Sequence, residues 1–209
     1  CCCTGAGMRF LVRYRNVAAM TGVDATARVV ERGRARVAAE GLSERITFVL
    51  RDVCDSGLPD GCADFVWGED AWCYVENKER LIAEAVRLAR PGGVIAFTDW
   101  LEGNEPMSEA EAARCLGFMK FPSLFTLADY VGGLRAQGCR IREAADTGRF
   151  AAYMPLYLDM LEKQLTYDAL RIIGFDAALA DSLLAGMRFL KALADAGKII
   201  QGLVVAEKP

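Results

Sequence analysis

CCCTGAG (residues 1–7) runs into MRFLVRYR (8–15) and then into AAMTGVD (18–24). The middle piece can form a helix. The last is a short apolar run that closes on an acid, Asp24. In open α/β sheets, ligands bind at the carboxyl ends of the strands, and an acid there commonly holds ribose hydroxyls. CCCTGAG therefore takes the place of a glycine-rich turn that leads from a first strand into a helix. Glycine suits such a turn because backbone without a Cβ can approach a ligand closely.

Working outward, strand and helix signals alternate. ATARVVERGRARVAAEGL (25–42) has helical spacing and stops at Gly41, and RITFVLRD (45–52) is β-branched and aromatic, hence a strand. LPDG (58–61) is a turn and ADFVWGED (63–70) the next strand. NKERLIAEAVRLARPGG (77–93) predicts an amphipathic helix, capped by Asn77 and ended by Pro91-Gly92-Gly93. VIAFTDW (94–100) reads as a buried strand. Such alternation implies a parallel sheet with helices on both faces. Beyond it, 101–123 is irregular to helical, 126–138 is a helix and 139–146 a strand. A long helical block runs from about Phe150 to Ala196, broken near Gly174, and IIQGLVVAEK (199–208) is a closing strand.

Composition removes several classes of function. The 209 residues make one domain with a small appended cap, large enough to bury a core without staples. A net charge of −3 gives no strong basic field for a phosphate backbone, so no nucleic-acid partner is expected. Arg28, Arg32, Arg34 and Arg36 alternate with Glu31 and Glu40 and read as a solvated helix face. No run of eighteen apolar residues exists, so no membrane span is expected. The absence of histidine removes the usual general base and the commonest metal ligand together. The cysteines at 1, 2, 3, 54, 62, 73, 115 and 139 form no CxxC pair. They read as free thiols in a reducing cytoplasm, with no metal bound.

The ordered segments resemble the class I S-adenosylmethionine-dependent methyltransferases, in the group acting on small molecules. CCCTGAG resembles their motif I, a strand followed by Asp/Glu-x-Gly-x-Gly-x-Gly. Cys1, Cys3 and Gly5 fall where its three glycines stand, and only Gly5 is kept. GVDAT (22–26) resembles motif II, which implies Asp24 on the cofactor's ribose hydroxyls with Ala25 beside it. LRDV (50–53) resembles motif III, which implies that Asp52 takes the adenine amino group while the Val53 amide faces the ring. LPDGCADFVWGEDA (58–71) resembles motif IV, with Glu69 at the cofactor. LARPGGVIAFTDW (88–100) resembles the helix, turn and strand that follow.

The resemblance implies S-adenosyl-L-methionine as cofactor. It implies an α/β fold: a Rossmann-like, doubly wound, mostly parallel sheet with an antiparallel last strand, a helical cap and the first strand missing or truncated. Residues 1–100 would form the cofactor-binding core and 101–125 with 147–197 the cap. Residues 126–146 and 198–209 would complete the sheet.

The acceptor turns on residues just past the strand ends. A sulfonium methyl donor needs alignment and exclusion of water, and a base only if the nucleophile arrives protonated. This group often carries a histidine after its fourth strand; here EDAWCYV (69–75) puts Cys73 and Tyr74 there. Glu69, Asp70 and Tyr74 are the candidate catalytic groups, with Asp99 further along. Carboxylates beside Trp72 and Trp100 suit a cationic amine. Phe118, Phe121, Tyr153 and Tyr157 come from the cap segments and are expected to face the acceptor, although a stripe of this kind also reads as plain core. The layout resembles the sarcosine/dimethylglycine, phosphoethanolamine and sugar O-methyltransferases. The expected function is methyl transfer to a small molecule, an amine, by a monomer or homodimer. The alternatives are O- or C-methylation, or a degenerate fold serving as a binding or scaffold protein.

Overall fold

The computed structural model describes residues 1–163, 171 and 173–209. The stretch QLTYDAL (164–170) of the long helical block, together with residue 172, lies outside the described residues. The chain begins with the turn at Cys1–Gly5 and α1 (Ala6–Tyr14), then β1 (Met20–Asp24), α2 (Ala27–Ala39) and β2 (Ile46–Leu50). β3 (Ala63–Glu69) leads through a short 3-10 turn at Trp72–Tyr74 into α3 (Lys78–Leu88) and β4 (Ala89–Glu102). The second half holds α4 (Glu109–Met119), α5 (Leu127–Ala136), β5 (Arg140–Asp146), α6 (Arg149–Lys163), α7 (Ala177–Asp195) and β6 (Ile199–Glu207).

β1 and β2 pair in parallel, from Met20 opposite Ile46 to Asp24 opposite Leu50. A second sheet runs in the order β3-β4-β6-β5. Its β3–β4 pair is parallel, and the last strand, β6, is antiparallel to both neighbours. The doubly wound sheet expected from the sequence is thus hydrogen-bonded as two pieces, and the first turn and α1 lie between them. Cys2 donates its amide to Val23 O at 3.0 Å, tying the turn to β1. A Cβ on Gly7 would lie 2.3 Å from the Trp67 ring of β3, so α1 also seats on the second piece.

Local chemistry sets most helix starts. Asn77 Oδ1 accepts the Arg80 amide at 2.9 Å and caps α3. Ser108 with Glu111 and Thr126 with Asp129 make reciprocal capping boxes for α4 and α5. Asp176 caps α7 by accepting the Leu179 amide at 3.0 Å.

One boundary differs from the sequence reading. The helix expected over 77–93 stops at Leu88, and Ala89 already opposes Ala63 in the sheet. Pro91 and the two glycines therefore lie inside β4, beside the register shift between Ala63 and Phe65, where proline's missing N–H is tolerated. Along β4 the burial alternates cleanly, Ile95, Phe97, Asp99 and Leu101 facing the main core. Trp100 points to the opposite face, where it packs against a cap cluster built on Cys115, Met154, Leu190 and Leu193. A third cluster, of Met8, Val12, Val30, Val37, Ile46 and Phe48, holds α1 and α2 on the β1–β2 pair.

Candidate active site

The carboxyl ends of β1, β2 and β3 open into one cavity of about 910 Å³. Its wall is acidic: Asp24, Asp52, Glu69, Asp70, Glu76 and Glu79 line it, with Arg80 as the lining cation. Asp24 closes β1 and is buried. Its Oδ2 accepts the Cys3 amide and its Oδ1 the Thr26 amide, both at 3.0 Å. Burial alone would raise this carboxyl. The Thr26 and Cys3 amides oppose it, and Asp24 is held below the usual carboxylate range. The turn and the acid thus fix each other.

Gly5 does not line the cavity. It stands at φ +72°, and a Cβ there would sit 2.7 Å from the Phe48 ring, so it is kept for backbone shape and packing. Cys1 and Cys3 do line the cavity, and Cys3 holds φ 51° with a side chain in place. Asp52 Oδ1 accepts the Cys54 amide at 2.8 Å in a local turn, and Asp52 lines the cavity with Ala25 and Val53. Glu69 is the last residue of β3. Asp70, at φ 48°, donates its amide to Thr98 O at 2.8 Å. Tyr74 lines the same cavity, 52 % exposed, with its ring edge-on to Phe121 at 4.8 Å. Partial burial pushes its phenol up, which makes it a poor base near neutrality.

A second cavity, of about 490 Å³, lies on the cap side. Trp100, Phe150, Tyr153, Tyr157 and three methionines, Met119, Met154 and Met187, form its apolar wall. Arg149 and Gln201 are its polar members. Trp100 and Phe150 hold each other at 4.2 Å between ring centroids. The walls of the two cavities touch through one side-chain pair: Gln201 Nε2, of the second, donates to both carboxylate oxygens of Asp70, of the first, at 2.9 and 2.8 Å.

Several residues expected in the site lie elsewhere. Trp72 is in the core, 4 % exposed and stacked on Phe97 at 3.9 Å, because the 3-10 turn rolls its ring inward. Gly68 makes the room: a Cβ there would come within 2.5 Å of Trp72 Nε1. Asp99 is fully buried, accepting the Tyr130 hydroxyl at 2.7 Å and the Cys73 amide at 3.0 Å, and burial raises its carboxyl. Phe121 is buried between Tyr74 and Trp100, and Phe118 packs over Gly186; neither lines either of these two cavities. Both belong to the plain-core reading of that stripe. Gln201 and Met187 border the aromatic cavity and carried no sequence signal. Each sits in an apolar stretch whose facing only the packed cap decides.

The eight cysteines are free thiols. Among the described residues, no group of three or more His, Cys, Asp or Glu side chains could hold a metal ion. Among them, too, no helix is long and apolar enough to cross a membrane.

The chain is thus an α/β protein with an acidic cavity at its parallel-strand ends and an aromatic cavity on its cap side. Residues 1–97 match the family model described as "Methyltransferase domain". The chain is 27% identical over 177 residues to a probable tocopherol O-methyltransferase of Oryza sativa subsp. japonica, covering 81% of this chain and 48% of that protein. The chain spans about half the length of the curated relatives it matches. Its fold is shared with a phosphoethanolamine N-methyltransferase of Haemonchus contortus, solved with phosphomonomethylethanolamine and S-adenosylhomocysteine. That likeness has a TM-score of 0.87 at 19% identity, over 100% of this chain and 47% of that one. The cyclase SpnF shares the fold as well, at TM-score 0.76 and 21% identity over 100% of this chain and 73% of that one.

Proposed function

We propose that the chain transfers the methyl group of S-adenosylmethionine to a small molecule with an apolar or aromatic body. The observation that carries the reading is the meeting of two unlike cavities at Asp70. The acidic one suits a cationic nucleoside: Asp24 has the anchored carboxylate a ribose diol asks for, and the surrounding acids favour sulfonium and ammonium charge. When bound there, the cofactor supplies a methyl group whose bond to sulfur breaks, the electron pair staying on sulfur, as the bond to the acceptor's heteroatom forms. The chain's own task is to align the acceptor and keep water out. Asp70 lies at the junction and is the group placed to take the acceptor's proton, which then passes to water.

The aromatic cavity revises the acceptor. Of the five residues that suggested an amine cage, Trp72 and Asp99 are in the core and Glu69 and Asp70 line the acidic side, so Trp100 remains on the aromatic wall, with Asp70 reaching it through Gln201. A ring-bearing acceptor ending in a hydroxyl or amine fits this wall better than a small ammonium ion. The tocopherol and phosphoethanolamine enzymes, an O- and an N-methyltransferase, support both ends of that range. A second reading, a fold that binds cofactor without transferring, is favoured by Cys3 at φ 51°, where glycine is at ease.

The test is a panel of aryl alcohols, phenols and arylamines incubated with methyl-labelled S-adenosylmethionine. Label in at least one phenol or arylamine is expected. Binding of S-adenosylhomocysteine with no transfer to any compound would hand the case to the second reading.

A further inference from the structure

Gln201 is the polar side chain through which the two cavities touch. It stands on β6, 6 % exposed, in a wall that is apolar apart from it and Arg149, and its carboxamide is held from both ends. The Thr147 hydroxyl donates to Oε1 at 2.9 Å, and Nε2 donates to the two Asp70 oxygens. The Thr147 amide also donates to the Gln201 carbonyl at 2.8 Å, so the pair is tied through backbone as well. A hydroxyl donating to the carboxamide oxygen fixes which end faces Asp70: the N–H pair must point the other way. Asp70 itself stands in a left-handed conformation that a side-chain residue holds only with local support. A buried amide in an apolar wall is costly unless satisfied, and here its partners lie in line toward the donor side.

We propose that the Thr147–Gln201–Asp70 row positions the transfer, with Gln201 aiming the Asp70 carboxylate at the junction the methyl group must cross. Gln201 is a positioning residue, acting through Asp70. The inference rests on the functional reading above and narrows it. A carboxylate aimed at the junction selects acceptors whose reacting atom carries a proton, a hydroxyl or a primary or secondary amine. It disfavours carbon acceptors and tertiary amines.

The sequence has three glutamines, Gln137, Gln164 and Gln201, so selective 15N-glutamine labelling gives a three-residue side-chain spectrum. Gln201→Leu assigns the signal. S-adenosylhomocysteine is then added to fill the acidic cavity, and N-phenylnaphthylamine, a neutral aromatic probe, to fill the other. The Gln201 amide should shift with each ligand and the Gln137 amide with neither. Thr147→Val, nearly isosteric, should move or broaden the Gln201 signal, and Thr147→Ser should restore it. On the panel compound that turns over, Gln201→Leu should lower kcat by about tenfold or more while KM for S-adenosylmethionine stays within about twofold. Thr147→Val should show part of that loss and Thr147→Ser should recover it. An amide that ignores either ligand overturns the proposal, as does a Gln201→Leu effect confined to the cofactor's KM. If no panel compound is methylated, the functional reading falls, and the amide's response to the two probes decides this one alone.

Discussion

Trp72→Leu separates the packed structure from the expectation that this ring cradles an amine. Trp72 is 4 % exposed, stacked on Phe97 and tilted against Tyr130. Leucine is smaller by roughly 60 Å³, and at about 24 cal/mol per Å³ of cavity the void costs about 1.5 kcal/mol. The lost stack adds about 0.5–1.5 kcal/mol beyond its area. The sum, about 2–3 kcal/mol, lowers the melting midpoint of a chain this size by roughly 4–12 °C. Urea denaturation followed by tryptophan fluorescence and thermal melts followed by circular dichroism both read it. Trp100→Leu is the companion: it borders the aromatic cavity and should lose N-phenylnaphthylamine binding with a smaller fall in midpoint. The reasoning is refuted if Trp72→Leu leaves the midpoint in place and instead raises KM for an acceptor.

Two further outcomes follow from the site and the core. Asp24→Asn should weaken S-adenosylhomocysteine binding by about 1.5–3 kcal/mol, the worth of a hydrogen bond to a charged group, or about 10- to 150-fold in Kd; calorimetry with unchanged affinity would remove Asp24 from the site. Glu84 is held at about 2, first by the Arg87 guanidinium and then by Ser56, against a burial that opposes them. A depressed folded value means this stability is present above the ordinary glutamate range and is lost as pH falls toward 2. Glu84→Gln should therefore lower the midpoint at pH 7 and flatten its fall between about pH 4.5 and 2, as melts across a pH series would show.

Much of the strand-end cavity could be read from the chain because its signals are local. Asp24 ends an apolar run, Asp52 and Glu69 end two more, and a strand end is where such a fold keeps its ligand. The β4 boundary was illegible for a physical reason: RPGG reads as a helix stop, yet Ala89 is claimed by Ala63 across the sheet, a partner far away in sequence. Trp72 was misplaced for a related one. A short 3-10 turn reverses a side chain's direction within three residues, and no periodicity announces it. The acceptor side was legible in residue type and not in facing. Tyr153, Tyr157 and Trp100 reach the cavity while Phe118 and Phe121, of the same chemistry, support it from behind. Gln201 could not have been found, since its meaning comes wholly from Thr147 and Asp70, far from it in the sequence.

The two cavities are written in different stretches of the chain. The residues lining the acidic one lie between Cys1 and Arg80, and those lining the aromatic one between Trp100 and Gln201. The two walls can therefore drift at independent rates. The cap helices can be redrafted, or exchanged for those of a relative, while the strand-end acids are inherited untouched. What such a graft must preserve is the joint: a partner at position 201 for Asp70, and a ring at 121 for Tyr74. A frame divided in this way is suited to carrying an O-methyltransferase, an N-methyltransferase and a cyclase on one backbone plan.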